Sequence, residues 1–165
     1  MTLTLKIQKL TEDAIVPQYA HPDDSGMDLC SINSYLLPVG GRKLFKIGIS
    51  IQLPPGTEAQ IRPRSGLALK NGIGFPTTKY VSWDDCPETF KGQILLTNTI
   101  ATIDEGYRGE LGVILENRGE KPFMVEKGMK IAQMVIYPVL RPEIEIVSTL
   151  TETERGAGGF GSTGV

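Results

Sequence analysis

Apolar and polar residues alternate with a period of two along much of the chain. Leu3, Leu5 and Ile7 stand between Thr4, Lys6 and Gln8, the spacing of a strand with one buried face. Ile47, Ile49, Ile51 and Leu53 repeat the pattern and stop at Pro54-Pro55-Gly56, where a turn closes the strand. Met27–Ser31 reads as a strand entered from a polar loop, and Ala59–Arg62 as another short extended piece. The β-branched Thr99, Ile100, Thr102 and Ile103 favour extended backbone, Glu105-Gly106 offers a turn, and Leu111, Val113 and Leu115 resume the alternation. Together they predict a hairpin. Gly119–Pro122 marks a further turn, and Gly128–Pro138 a turn followed by a largely apolar strand broken by Gln133. One short helix interrupts this pattern: Ser65 is a good N-cap, Leu67-Ala68-Leu69-Lys70 are strong helix formers, and Gly72 after Asn71 is a natural stop. From Ile73 to about Leu95 neither period holds, and Pro76, Trp83, Asp84, Asp85, Cys86 and Pro87 predict an elaborated loop.

Composition narrows this picture. A chain of 165 residues holds one domain with a real core, and 19 glycines and 11 prolines suit many turns and short strands. An all-β fold is expected. The net charge of −2, with no Lys/Arg block, argues against a nucleic-acid polymer as partner. Cys30 and Cys86 form no CxxC pattern and His21 is the only histidine, which argues against zinc and for two free thiols in a reducing compartment. No apolar run approaches membrane-spanning length, so a cytoplasmic location with no membrane partner is the expectation.

Several stretches carry candidate chemistry. The predicted hairpin places Asp104 near its turn and Tyr107 three residues on; the pair could serve as a base and a platform for a flat polar ligand, or Asp104 could do simple turn chemistry. In Arg62–Gly72, Arg64 directly precedes the cap Ser65, and the open N–H groups from Gly66 onward would make a phosphate seat, or the segment is a capped helix and nothing more. Asp23, Asp24 and Asp28 bracket Gly26; they read as a polar loop, or Asp28 belongs to a magnesium shell. Gln133 either satisfies nearby backbone or points to a ligand. The tail Arg155–Gly164 sets Arg155, Phe160, Ser162 and Thr163 among glycines, a composition that could order around phosphates and a base.

Asp24-Ser-Gly-Met-Asp-Leu29, Pro63-Arg-Ser-Gly-Leu-Ala68, Asn98–Gly109, Gly128–Gln133 and Arg155–Gly164 together resemble the five motifs of the trimeric dUTP diphosphatase (dUTPase) family, in order and over almost the whole chain. The resemblance implies a jelly-roll-like β-barrel, a homotrimer with active sites between subunits, and a C-terminal arm that crosses to a neighbour. It implies hydrolysis of dUTP to dUMP and pyrophosphate, which limits uracil incorporation into DNA and supplies dUMP for thymidylate synthesis, with magnesium held mainly by the triphosphate. By the same resemblance Asp104 activates the attacking water, and Asn98, Gly112 and the backbone around Thr102 and Ile103 read uracil. Tyr107 packs on the sugar, leaving no room for a ribose 2′-hydroxyl. Arg64, Ser65 and Gly66 hold phosphates, with Ser65 steadying the bridging oxygen, while Gln133 holds the phosphate region and Asp28 supports the metal through water. Arg155, Ser162 and Thr163 bind the terminal phosphates, Phe160 caps the base and Gly161 permits close backbone approach.

The chain differs from that pattern in two places. Ile100-Ala101 stands where the family usually has Pro-Gly, and some twenty-five residues separate Gly72 from Asn98 where about ten are usual. A lone tryptophan gains too much from burial to be left in water, so Ile73–Leu95 is expected to fold back onto the trimer surface near the mouth of the site with Trp83 as its anchor, where it could serve an extra partner. The other reading of this loop is a disordered insertion. Two other readings are a dCTP deaminase, distinguished by release of ammonia, and a trimeric binding protein that keeps the fold.

Overall fold

The computed structural model describes residues 3–65, 67, 94–96 and 100–159. Eleven strands are ordered along the described chain: β1 Lys6–Lys9, β2 Met27–Cys30, β3 Tyr35–Leu37, β4 Arg42–Lys46, β5 Ile49–Gln52, β6 Thr57–Arg62, β7 Ile94–Leu96, β8 Ala101–Ile103, β9 Gly112–Asn117, β10 Phe123–Val125 and β11 Lys130–Pro138. They form four antiparallel groups: β2-β11-β6-β8, β4-β9-β7, β1-β5 and β10-β3. The all-β class follows the expectation. Ser65 and Leu67 are helical, and the remainder of the predicted helix lies outside the described residues.

Alternation builds the core. On β6, Ala59 and Ile61 are fully buried while Glu58, Gln60 and Arg62 are half-buried, and on β9 Val113, Leu115 and Asn117 turn inward. These pack with Leu29, Leu37, Phe45, Ile49, Ile51, Val125 and Met134 into a single cluster. In β11 the period slips: Ile131 and Ala132 are both buried, because the register against β2 shifts between Lys130 and Ala132. That shift lets the strand return Gln133 to the opposite face.

The predicted hairpin is corrected. β8 pairs with β6, whereas β9 pairs with β4 and β7, so the two strands join different sheets. The cause lies in the connection. After a turn closed by the Tyr107 N–H donating to the Asp104 carbonyl at 3.0 Å, Leu111 donates to Ile49 O at 2.8 Å and accepts from Ile47 N at 3.0 Å. The corner between β4 and β5 therefore captures the chain before it can fold back on β8. A second correction concerns the long segment, whose last residues Ile94–Leu96 form β7. Trp83 and the rest of that segment lie outside the described residues.

Asn117 is a fully buried polar side chain in the core, and its partners explain it. Its Nδ2 donates to Leu37 O at 3.0 Å and Lys121 O at 2.8 Å, and its Oδ1 accepts from Gly119 N at 2.9 Å. It ties the turn after β9 to the end of β3. Asn117→Leu strands two carbonyls and one N–H in the interior, and the expected loss in denaturant unfolding is about 3 kcal/mol; a loss below about 1 kcal/mol would show those groups to be hydrated instead. Nearby, the guanidinium groups of Arg118 and Arg42 hydrogen-bond Glu116 and hold its carboxyl down to about 2.

Candidate active site

The parting of β8 and β9 leaves a pocket of about 400 Å³ between them, lined by Leu44, Lys46, Ile61, Thr102, Tyr107 and Gly112 among others. Its size suits one small ligand. β8 is the last strand of its sheet among those described, so the backbone of Thr102 and Ile103 can offer hydrogen bonds on the pocket side. Tyr107 stands at the rim, 43% exposed, with its hydroxyl donating to Glu110 O at 3.1 Å. Asp104 is exposed just past the end of β8. Its neighbour Glu105 accepts from Gly56 N and pairs with Arg141, both at 3.0 Å, which fixes this end of the loop to the turn before β6.

A second cluster joins three of the sequence motifs. In register on adjacent strands, Gln133 faces Asp28 on β2 and Arg62 on β6. The Asp28 carboxylate takes Arg64 Nε at 2.6 Å on one oxygen and Lys130 Nζ at 2.7 Å on the other. Arg64 also donates to Lys130 O at 3.3 Å. Gln133 Nε2 donates to Pro63 O at 2.7 Å and so fixes the residue before Arg64. A Cβ on Gly26 would come within 2.6 Å of Gln133 Oε1, so a glycine there makes room for the amide. Ser65 is exposed beside this cluster. Beneath it the Cys30 thiol is buried and free, pushed up by burial first and by the Asp28 carboxylate second.

Two cations facing one carboxylate suit an anionic ligand. The donor set is poor for a caged metal: among the described residues no group of three His, Cys, Asp or Glu comes together, and both Asp28 oxygens are engaged. It fits a cation that arrives on a phosphate chain and meets Asp28 through water.

In one chain Asp104 and Arg64 sit at opposite ends of β6, and the pocket reaches that strand at Ile61. Ala59 pairs with Ile103, which puts Asp104 beside Glu58, whereas Arg64 follows the far end of the strand. At about 3.3 Å per residue, the six residues from Glu58 to Arg64 span roughly 20 Å. Arg155 is near neither by hydrogen bonding: its Nε donates to Gly158 O at 3.0 Å inside its own segment. Every residue from Arg141 to Ala157 is exposed. Gly66, Asn98, Phe160, Gly161, Ser162 and Thr163 lie outside the described residues.

Sequence reasoning singled out neither Lys130 nor the pocket residues Lys46 and Glu110. Lys130 could have been found from the strand register, since it precedes Gln133 on the same element; Lys46 carries no signal until β4 is known to flank the pocket.

An all-β frame with a pocket of single-ligand size and a cationic cluster defines a protein for a small ligand with an anionic end. The dUTPase family model matches residues 12–98 and 88–164. The chain is 54% identical, over 99% of its own length and 100% of the relative's, to the deoxyuridine 5′-triphosphate nucleotidohydrolase of Crocosphaera subtropica. It resembles a point mutant of the Staphylococcus bacteriophage 80alpha dUTPase with dUpNHpp at a TM-score of 0.75 and 25% identity, over 98% of this chain and 99% of that one. It also shares the fold of a mutant dUTPase from phage phi11 of S. aureus, described with a structural Mg(II) ion, at a TM-score of 0.71 and 22% identity, over 90% of this chain and 99% of that one. The chain belongs to the dUTPase family.

Proposed function

We propose that this protein hydrolyses dUTP to dUMP and pyrophosphate, with the base and sugar in the pocket beside Tyr107 and the triphosphate on the Arg64 cluster. The observation that carries the reading is the pairing of an uncharged backbone edge at Thr102 and Ile103 with an exposed carboxylate, Asp104, at its end. A pyrimidine edge takes hydrogen bonds from such a backbone, and the carboxylate accepts the proton of a water that attacks the α-phosphorus. As the new P–O bond forms, the bond from the α-phosphorus to the bridging oxygen breaks, and the pyrophosphate leaves with the charge. Arg64 meets that charge, with Ser65 and Gly66 beside it, and Gln133 holds Pro63 so that Arg64 stays in place. Magnesium bound to the triphosphate would supply further charge neutralisation, and Asp28 would support it through water. Asn98 and Gly112 complete the base site; Arg155, Phe160, Gly161, Ser162 and Thr163 close over the nucleotide.

The separation of Asp104 from Arg64 along β6 supports an active site shared between copies of the chain. The exposed tail supports the same reading: Leu140, Ile144, Ile146 and Leu150 are 86% or more exposed, and large apolar residues gathered in one segment gain most by packing on another subunit. A homotrimer in the cytoplasm accommodates both features.

The reading is tested by pyrophosphate release from dUTP, dTTP, dCTP and UTP, with and without magnesium. Release from dUTP far above the other three, strengthened by magnesium, is expected. Ammonia from dCTP, or equal release from all four, would replace it.

A further inference from the structure

The pocket wall contains a charged pair for which the proposed reaction has no task. Glu110, its side chain only 20% exposed, accepts from Gly48 N at 3.1 Å through Oε1 and takes Lys46 Nζ at 2.9 Å through Oε2. Gly48 is a rigid anchor. It turns the corner between β4 and β5 at φ +75, and a Cβ there would meet Thr11 and Ala14. The carboxylate of Glu110 is thus clamped to a fixed corner of the core, while its backbone carbonyl accepts the Tyr107 hydroxyl at 3.1 Å. Gly109 leaves room for the ring, since a Cβ at that position would collide with the Tyr107 phenol. Arg108 adds a backbone hold, donating to Tyr107 O at 2.8 Å and to Glu105 O at 2.7 Å.

A rim tyrosine that is 43% exposed has little packing to choose its rotamer. Its hydroxyl bond is therefore the main constraint on where the ring lies. In the proposed function that ring excludes a ribose 2′-hydroxyl, and on that basis we infer that Glu110 is the positioning residue for deoxyribose selection. Its clamped carboxylate sets the carbonyl that holds Tyr107, and Gly109 gives the ring its place. The Glu110 carboxylate is already engaged by Gly48 N and Lys46 Nζ, so its effect passes through the carbonyl that holds Tyr107.

The test measures kcat and KM for dUTP and UTP with the full chain. Glu110→Ala is expected to lower the dUTP-over-UTP ratio of kcat/KM by about tenfold, with more of the change in KM than in kcat. Glu110→Gln keeps an acceptor for Gly48 N and should recover most of the ratio. Lys46→Met removes a partner whose own side chain is 66% exposed, so its effect should be the smaller one. The deciding comparison uses Tyr107→Phe, which lacks the hydroxyl: in that background Glu110→Ala should change the ratio by less than about twofold. An equal loss for both substrates, or the same tenfold effect with the hydroxyl gone from position 107, overturns the inference and leaves Glu110 a staple of the β4–β5 corner. Should Glu110→Ala not fold, Glu110→Leu, which keeps the bulk of the side chain and loses the acceptor for Gly48 N, takes its place under the same comparison. Failure of the wild-type protein to release pyrophosphate from dUTP is a different result, since it removes the proposed function itself.

Discussion

Replacing Asp104 with asparagine is expected to lower turnover of dUTP by roughly two to four orders of magnitude while dUTP binding changes little. The substitution keeps shape and hydrogen-bonding capacity and removes only the proton acceptor. Its site also keeps structural loss out of the comparison, because Asp104 is exposed and its backbone carbonyl, not its carboxylate, closes the turn with Tyr107 N. Single-turnover measurement of pyrophosphate release, paired with equilibrium binding of a non-hydrolysable dUTP analogue, separates the two effects. Near-normal turnover in the variant would move the base elsewhere; a parallel collapse of binding would make Asp104 a ligand contact.

Deletion of Arg155–Val165 is expected to reduce kcat/KM for dUTP on the order of a hundredfold or more while the copies remain associated. The segment contributes a cation, an aromatic ring and hydroxyl groups, yet within its own chain the Arg155 side chain bonds to Gly158 O, inside the segment itself. The described core does not lean on it, since Arg141–Ala157 is exposed throughout. Mixing the truncated chain with full-length Asp104→Asn tests whether the arm serves another subunit. A hybrid oligomer then contains sites with an intact Asp104 and an intact arm from different chains, and some activity should return. If subunit exchange is demonstrated and activity stays absent, the arm acts on its own chain.

The strands with one buried face were legible because burial writes a period of two into the sequence. Ile49 and Ile51 of β5, and Ala59 and Ile61 of β6, show it, and Gly56 closes the turn between those strands at φ +75. β3 and β4 were not legible. Tyr35 and Leu36 are both exposed, and in β4 Leu44 faces outward beside the buried Phe45, so no alternation survives to be read. The pairing of β8 and β9 was misread for a different reason. Turn chemistry at Glu105-Gly106 is local, whereas the capture of Leu111 by Ile47 and Ile49 joins parts of the chain that are distant in sequence. The site showed the same division. Asp28, Arg64 and Gln133 stood out as single residues and do meet, but that they meet each other depends on the register of β2, β11 and β6. Lys130 joined them only once that register was known.

The Arg64, Lys130 and Asp28 cluster carries two positive charges against one negative, on a chain whose formal net charge is −2. The molecule as a whole therefore repels a polyanion weakly at long range, while this one corner attracts it within about 10 Å at 0.1 M salt. Capture and retention of a nucleotide are then governed at different distances. Added salt relieves the long-range repulsion and weakens the local attraction together, so the association rate should respond to ionic strength less steeply than it would for a uniformly basic enzyme. The escape rate of a bound triphosphate should instead reflect the half-buried geometry of the corner, where screening by mobile ions reaches least.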